Sequence, residues 1–420
     1  MTNTSTWHGV LSKPYLLALF VGQFISQSGN RIYAMASLWM AYQLTHSTVA
    51  MSAVEAVSLI AVLVVGNFGG IITDRTDPLW AMICVDIFSA ITLGLIPVLY
   101  FAGHLTVWDV IVTSVLLTGA SMLFTPALQG IIPQMTTREE LVVANGMLDL
   151  TDRLSKILGP AVVGALMVLA TLVDLFTIDA LTFVVSAISL VYVRIQWYKR
   201  STTVKTFSQQ PLVTLSLDSW KTLMKTPWLR TVTVVRSLNN GFWALYTIGS
   251  PIFVQSRFQL GIGAWGLILA AYGAGQVFGN VLAVQFSSYK NSLRTFIIGW
   301  TVIGLSFVGY AVSSTIAIAV SCIFFAGVGG PIAHVAINTR IGLDVAQNQI
   351  VGVFRIQKMM ISLLNGIGIM AAGVVYKFVD ARTGILCAGL GMTAVMVTTV
   401  ILEYIDRHRR RRREGLLTCG

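Results

Sequence analysis

The chain has 420 residues, 55% of them apolar and only 11% charged, with a formal net charge of +11. Soluble domains carry about 25% charged residues, so this composition excludes an ordinary water-soluble globular protein. A helix needs about 20 apolar residues to cross the hydrocarbon core, and twelve such helices would use about 240 residues, close to the whole apolar share.

In chain order, apolar runs fall near 14–43, 48–72, 79–101, 107–132, 142–170, 174–196, 229–255, 262–287, 292–311, 314–339, 348–376 and 383–405. They predict an all-α membrane protein of twelve transmembrane helices in two pseudo-symmetric bundles of six. The expected divisions are an N-terminal bundle over 1–196, a cytoplasmic linker over 197–228, a C-terminal bundle over 229–406 and a basic tail over 407–420. Pro126 and Pro133 are expected to break the fourth run. LDSWKTLMKTPW in the linker suits a helix lying along the membrane surface. Lysine and arginine crowd one set of loops: Lys13, Arg75, Arg138, Lys199, Arg200, Lys221, Lys225, Lys290, Arg294 and Arg340, against Arg257, Lys377 and Arg382 on the other. The positive-inside rule then puts both termini in the cytoplasm. The first apolar run is too long for a signal-peptide core and lacks a small-residue cleavage site, so no cleavable signal is expected.

The cysteines, Cys84, Cys322, Cys387 and Cys419, show neither pairing nor metal-ligand spacing, so no disulfide or metal site is expected. Nor is there a nucleotide-binding loop or catalytic triad. The chain is therefore read as a transporter without cofactor or enzymatic activity, driven by ion gradients.

Charges inside the apolar runs carry the functional reading, because an ionised group at mid-bilayer is costly unless paired or wet. Asp149, Asp152, Arg153 and Lys156 enter the fifth run, with acid before base at i,i+4 in both pairs, the favourable order. Either they line a water-filled cavity or the helix starts late and they sit among headgroups. RLSK at 153–156 is echoed by RIQK at 355–358 in the eleventh run. Arg355 and Lys358 have no acid nearby in their helix, and Arg236 in the seventh run has Asn239 and Asn240 beside it. Arg236, Asn239, Arg355 and Lys358 are counted with the substrate cavity, and this excess of cation favours a carboxylate, phosphate or catecholate substrate unless the side chains snorkel toward the cytoplasm. Arg31 and Glu55, on the first two runs, are expected to meet. Glu55 is the preferred proton carrier and Arg31 its switch, the alternative being a fixed structural pair. Asp86, Asp179 and His334 are lesser candidates.

Four stretches carry a family resemblance: GGIITDRTD (69–77), LFTPALQGIIPQMTTREELVVANG (123–146), GPAVVG (159–164) and QFISQSGNRI (23–32). Together they resemble the major facilitator superfamily, and within it the drug and siderophore exporters that include macrolide efflux proteins. The likeness covers nearly the whole chain in layout, with its specific motifs mostly in the first half. It implies alternating access about a central site. Gly70, Asp74 and Arg75 match the loop signature between segments two and three, although Pro78 and Leu79 stand where a basic pair usually follows. Asp74 is expected to latch the cytoplasmic side, the bland reading being a solvated turn. Gly159, Pro160 and Gly164 match the antiporter motif and imply a dry seam, against ordinary small-residue packing. Asn30 stands where the group often has Asp, and is counted with the cavity residues.

The function expected is proton-coupled export of an amphiphilic small molecule by a monomer in a bacterial inner membrane. The alternatives are an anionic metabolite or lipid-like substrate, such as a siderophore or lysophospholipid, and, in another class, a non-transporting receptor or scaffold. The tail RHRRRRREG (407–415) is read as an anchor on anionic lipid, not as a nucleic-acid site.

Overall fold

The computed structural model describes residues 9–10, 12–57, 77–137, 140–199, 217–286 and 292–417; the side chains of 142, 217–218, 284–286, 336, 347–348, 350–351, 355 and 402–417 lie outside the description. Among these residues there are helices and no strands. The helices are α1 Pro14–Thr45, α2 Thr48–Val57, α3 Pro78–Phe101, α4 Val107–Met135, α5 Glu140–Leu166, α6 Leu172–Tyr198 and α7 Leu217–Lys225. They continue with α8 Pro227–Phe258, α9 Ile262–Phe286, α10 Ser292–Ala311, α11 Ile316–Asp344, α12 Gln347–Val375 and α13 Ala381–Leu417.

Each of the twelve apolar runs finds a helix, the second described only over Thr48–Val57, and α7 is the short amphipathic helix expected in the linker. Eight helices are long and apolar enough to cross a membrane: α3, α4, α6 and α9 to α13. The long helices α1, α5 and α8 are not among them, because polar and charged residues interrupt their bodies. Those three carry most of the candidate site. Along α3 and α6, Ile91, Leu95, Val98, Leu181 and Ile188 are exposed, the outward apolar face a lipid-embedded bundle needs.

Local chemistry sets the helix ends. Pro14 and Pro227 occupy the first turns of α1 and α8, where the missing N–H costs nothing. Asp77 caps α3 by accepting from the Leu79 N–H at 3.0 Å. Thr106 with Asp109, and Thr171 with Asp174, form capping boxes on α4 and α6. Contrary to expectation, α4 runs unbroken through Pro126 and Pro133. Side chains beside the prolines donate to the Ser121 and Gly130 carbonyls, Thr125 at 3.1 Å and Gln134 at 3.3 Å. The carbonyls that the prolines themselves leave without a helical donor are those of Met122 and Gln129, and the 29-residue helix tolerates the loss.

By internal packing the chain forms two compact units, Met1–Leu212 with Leu260–Ala270, and Val213–Gln259 with Ala271–Gly420. In the first, α1 packs on α5 and α6, and α3 on α4 and α6; in the second, α8 packs on α12 and α13, and α10 on α11 and α13. The neighbour relations are the same once α8 is matched to α1. The matched helices also agree in detail. α1 and α8 each span 32 residues and end on a left-handed cap, His46 at φ 48° and Gln259 at φ 56°. α4 and α11 each span 29 residues and open on a threonine cap. The core of the first unit, near the start of α1, is built from Leu16, Leu19, Leu79, Met82, Ile131 and Val193.

Candidate functional site

On α5, Arg153 Nε donates to Asp149 at 2.7 Å and Lys156 Nζ to Asp152 at 2.5 Å, both at i,i+4. Asp152 also accepts from Arg31 of α1, Nη2 to Oδ1 at 3.0 Å. Arg31 lies about 25 Å along α1, whose 32 residues make it about 48 Å long. The Arg31–Asp152–Lys156 cluster therefore stands near the middle of that helix. Its side chains are 38–41% exposed. Ionised groups this exposed are tolerated where water reaches them and not against lipid. Two acids serve three cations here, leaving one formal positive charge.

The expected meeting of Arg31 with Glu55 does not occur: no hydrogen bond or ion pair joins them among the described residues, and Arg31 is held by Asp152. The rotation of α1 puts Arg31 on the α5 side and its neighbours Asn30, Tyr33 and Ser37 toward α2 and α4. There, with Val54, Glu55, Ser114, Thr118 and Ser121, they line a cavity of about 180 Å³. A water occupies about 30 Å³ of liquid, so there is room for several beside the Glu55 carboxyl. One wall is fixed by a 2.7 Å hydrogen bond between the hydroxyls of Tyr33 and Ser114. Asp179 on α6 is fully buried and accepts from Thr182 at 3.0 Å, while Asp86 on α3 is 1% exposed.

GPAVVG packs on two sides. A Cβ at Gly159 would stand 2.6 Å from Arg31 Cβ and 3.0 Å from the Ser28 carbonyl, so α1 and α5 cross in close contact there. A Cβ at Gly164 would meet the Gly263 carbonyl at 3.3 Å, and one at Gly266 would meet the Pro160 carbonyl at 2.6 Å. Small residues of this kind let helix backbones approach closely.

In the second unit the polar set lies on α8, α11 and α12. Arg236 Nη1 reaches the side-chain oxygens of Gln357 at 3.3 Å and Asn338 at 3.5 Å. Gln357 in turn donates to Thr233 at 2.8 Å. Asn239 is fully buried and donates back to the Val235 carbonyl at 3.0 Å, so it faces its own helix in this conformation. Lys358 is exposed; the Arg355 side chain lies outside the described residues, as do Gly70, Asp74 and Arg75.

Sequence reasoning missed the contacts at the helix ends. Arg194 at the end of α6 pairs with Asp77 at 2.9 Å and lies over the rings of Trp80 and Tyr198. Arg340 pairs with Asp344 at 3.2 Å and stacks 4.3 Å above Trp228. Lys13 pairs with Glu140 at 2.6 Å. Burial pushes the Glu140 carboxyl up, but Lys13 and two bonds from Thr137 outweigh this and hold it below the usual carboxylate range. Asp77 stands inside the quoted 69–77 stretch, but nothing in spacing points to a partner more than a hundred residues away.

Long apolar helices repeated in two units, with polar side chains clustered inside each, describe a multi-pass membrane protein. The family model of the Major Facilitator Superfamily matches residues 19–368, and the chain belongs to that superfamily. It is 27% identical over 177 residues to macrolide efflux protein A of Streptococcus pyogenes, a stretch covering 42% of this chain and 44% of that protein. The chain thus matches less than half the length of that relative. It is 23% identical over 401 residues to the uncharacterized MFS-type transporter YfiS of Bacillus subtilis, covering 94% of each. Among solved structures it resembles the nucleoside transporter NupG, with a TM-score of 0.69 at 15% identity over 93% of this chain and 99% of that one. A bacterial homologue of the iron transporter ferroportin, in its inward-facing state, gives a TM-score of 0.69 at 13% identity over 91% of this chain and 98% of that one. At these identities the structures speak for the fold alone.

Proposed function

We propose that this transporter exports an amphiphilic, drug-like small molecule in exchange for protons, alternating between inward- and outward-facing states. The observation that carries the reading is Glu55, a carboxyl without a cation partner among the described residues, lining a hydroxyl-rich cavity with room for water. Water gives a proton a route to a carboxyl that no cation among the described residues neutralises. One charge moving down 100 mV releases about 2.3 kcal/mol, and one pH unit adds about 1.4 kcal/mol, enough to move a small solute uphill. Outward direction is supported by the likeness to macrolide efflux protein A.

In this reading Arg31 positions Asp152 and does not switch Glu55. Asn30, Asp149, Asp152, Arg153 and Lys156 line the substrate path, and Gly159, Pro160 and Gly164 keep a seam closed to ions. Asp74 and Arg75 latch the cytoplasmic side, Gly70 giving the turn its room. Both termini lie in the cytoplasm, a monomer suffices, and the tail rests on anionic lipid.

The test is uptake of a macrolide and of a hydrophobic dye into liposomes under an imposed pH gradient. Gradient-driven accumulation that Glu55→Gln abolishes is expected. Uptake indifferent to the gradient, with normal Glu55→Gln protein, overturns the proposal.

A further inference from the structure

From Leu229 to Ile401 the sequence contains two acids, Asp344 and Asp380. Both stand at helix ends, Asp344 closing α11 and paired with Arg340, and Asp380 just before α13 bonded to Thr383. Between Leu229 and Ile401 the helix bodies therefore hold no carboxylate. They do hold Arg236, about 13 Å inside α8. Its Nε is buried without a partner among the described residues. Its Nη1 is shared between two neutral amide oxygens, at 3.3 and 3.5 Å, both beyond the usual 2.7–3.2 Å range. A guanidinium has five donors and stays charged in proteins, so most of its hydrogen-bonding capacity is unspent. Of its two partners, Gln357 is 2% exposed and Asn338 exposed, so the group runs from the packed interior out to an accessible face. Lys358, next to Gln357 on α12, adds a second cation. In the first unit, the cations at comparable depth are each tied to Asp149 or Asp152.

A partly buried charge with no countercharge among the described residues is costly, and an anionic ligand would relieve that cost. We propose that Arg236, flanked by Gln357 and Asn338, binds the oxyanion of a transported amphiphile, a carboxylate or a phosphate. This rests on the transporter reading above and names the chemistry of its cargo: the molecule carries its negative group to the second unit and leaves its apolar body free. Arg is suited to this task because its fork of donors matches two oxygens at once.

The test is equilibrium binding, without any gradient, to full-length protein in nanodiscs of neutral lipid. Three fluorescent probes share one apolar body and end in a carboxylate, a phosphate monoester or a neutral amide. The expected result is at least about tenfold tighter binding of an anionic probe than of the amide, the usual worth of a charge-assisted bond. Which anion binds better separates a free organic acid from a lipid-like phosphate. Arg236→Gln should bring the ratio within about twofold, while Arg236→Lys keeps part of it. Gln357→Glu should also erase it, by placing a carboxylate beside an intact Arg236. Equal binding of the amide, an unchanged ratio in Arg236→Gln, or no binding of any probe overturns the assignment. Loss of gradient-driven uptake in Glu55→Gln is read separately, so anion preference can fail while proton-coupled transport stands, and the reverse.

Discussion

The first and eighth helices begin alike, end alike and pack alike, yet among the described residues only one of the two crossings they build holds carboxylates against its cations. Where α1 meets α5, Asp152 gathers Arg31 and Lys156, and Asp149 holds Arg153. Where α8 meets α12, Arg236 touches only amides. If RLSK and RIQK are matched, buried Ser155 corresponds to buried Gln357 and Asp152 to Phe354. One crossing contains its own countercharges and the other does not. The repeat therefore fixes scaffold geometry while leaving the chemistry of each half free to diverge, the separation of fold from function that a shared transporter architecture permits.

The sharpest way to break this comparison is to make the first crossing resemble the second. Asp152→Asn strands Arg31 and Lys156 together. The cost should be on the order of 2–3 kcal/mol, below that of a fully buried pair because these groups are more than a third exposed, with a large fall in Tm in detergent. Adding Arg31→Gln should recover part of the loss; no recovery would mean that the pair is not the source of the cost. Next in size is packing. Both crossings depend on glycine, since a Cβ at Gly159 would lie 2.6 Å from Arg31 Cβ and one at Gly368 would lie 2.5 Å from the Gly241 carbonyl. Alanine at either should cost about 1–3 kcal/mol, seen as matched drops in Tm; a drop at one site alone would show that the crossings are not equivalent.

The smallest effect concerns the Lys13–Glu140 contact at the entrance to α1 and α5. The folded-state pKa of Glu140 is depressed, so its stabilisation is fully present above the ordinary glutamate value of about 4.3. It is lost as pH falls through the lower folded value. Wild type should lose up to about 1 kcal/mol more than Lys13→Ala between about pH 5 and 3. Equal slopes in the two melting profiles would assign the contact no weight.

Much of the scaffold could be read in advance. Twelve apolar runs became helices because hydropathy alone determines what lipid accepts, and the i,i+4 pairs of α5 formed because one helix turn brings their members together. What escaped was everything that depends on how a helix is rotated. Arg31 and Glu55 look like partners by depth, but α1 turns Arg31 toward α5 and gives Glu55 the face with Asn30 and Tyr33. Arg194 with Asp77, and Arg340 with Trp228, join distant stretches whose spacing carries no period. Pro126 and Pro133 misled for a different reason: each removes a single backbone donor, a loss that a long membrane helix can absorb without breaking. Arg236 was legible as a charge, and the excess of cations in the second half already pointed to an anionic substrate; its contacts with Gln357 and Asn338 depend on helix rotation and were not legible.

Asp152 takes one cation from its own helix and one from α1, and this has a mechanical consequence. Sliding α1 along α5 by one turn, about 5.4 Å, would pull Arg31 off the one carboxylate that holds it among the described residues. The two helices are thus riveted into a single strut, and whatever rocking carries cargo across must bend elsewhere. Spin labels at one end of α1 and α5 should keep the same separation in every state of the cycle.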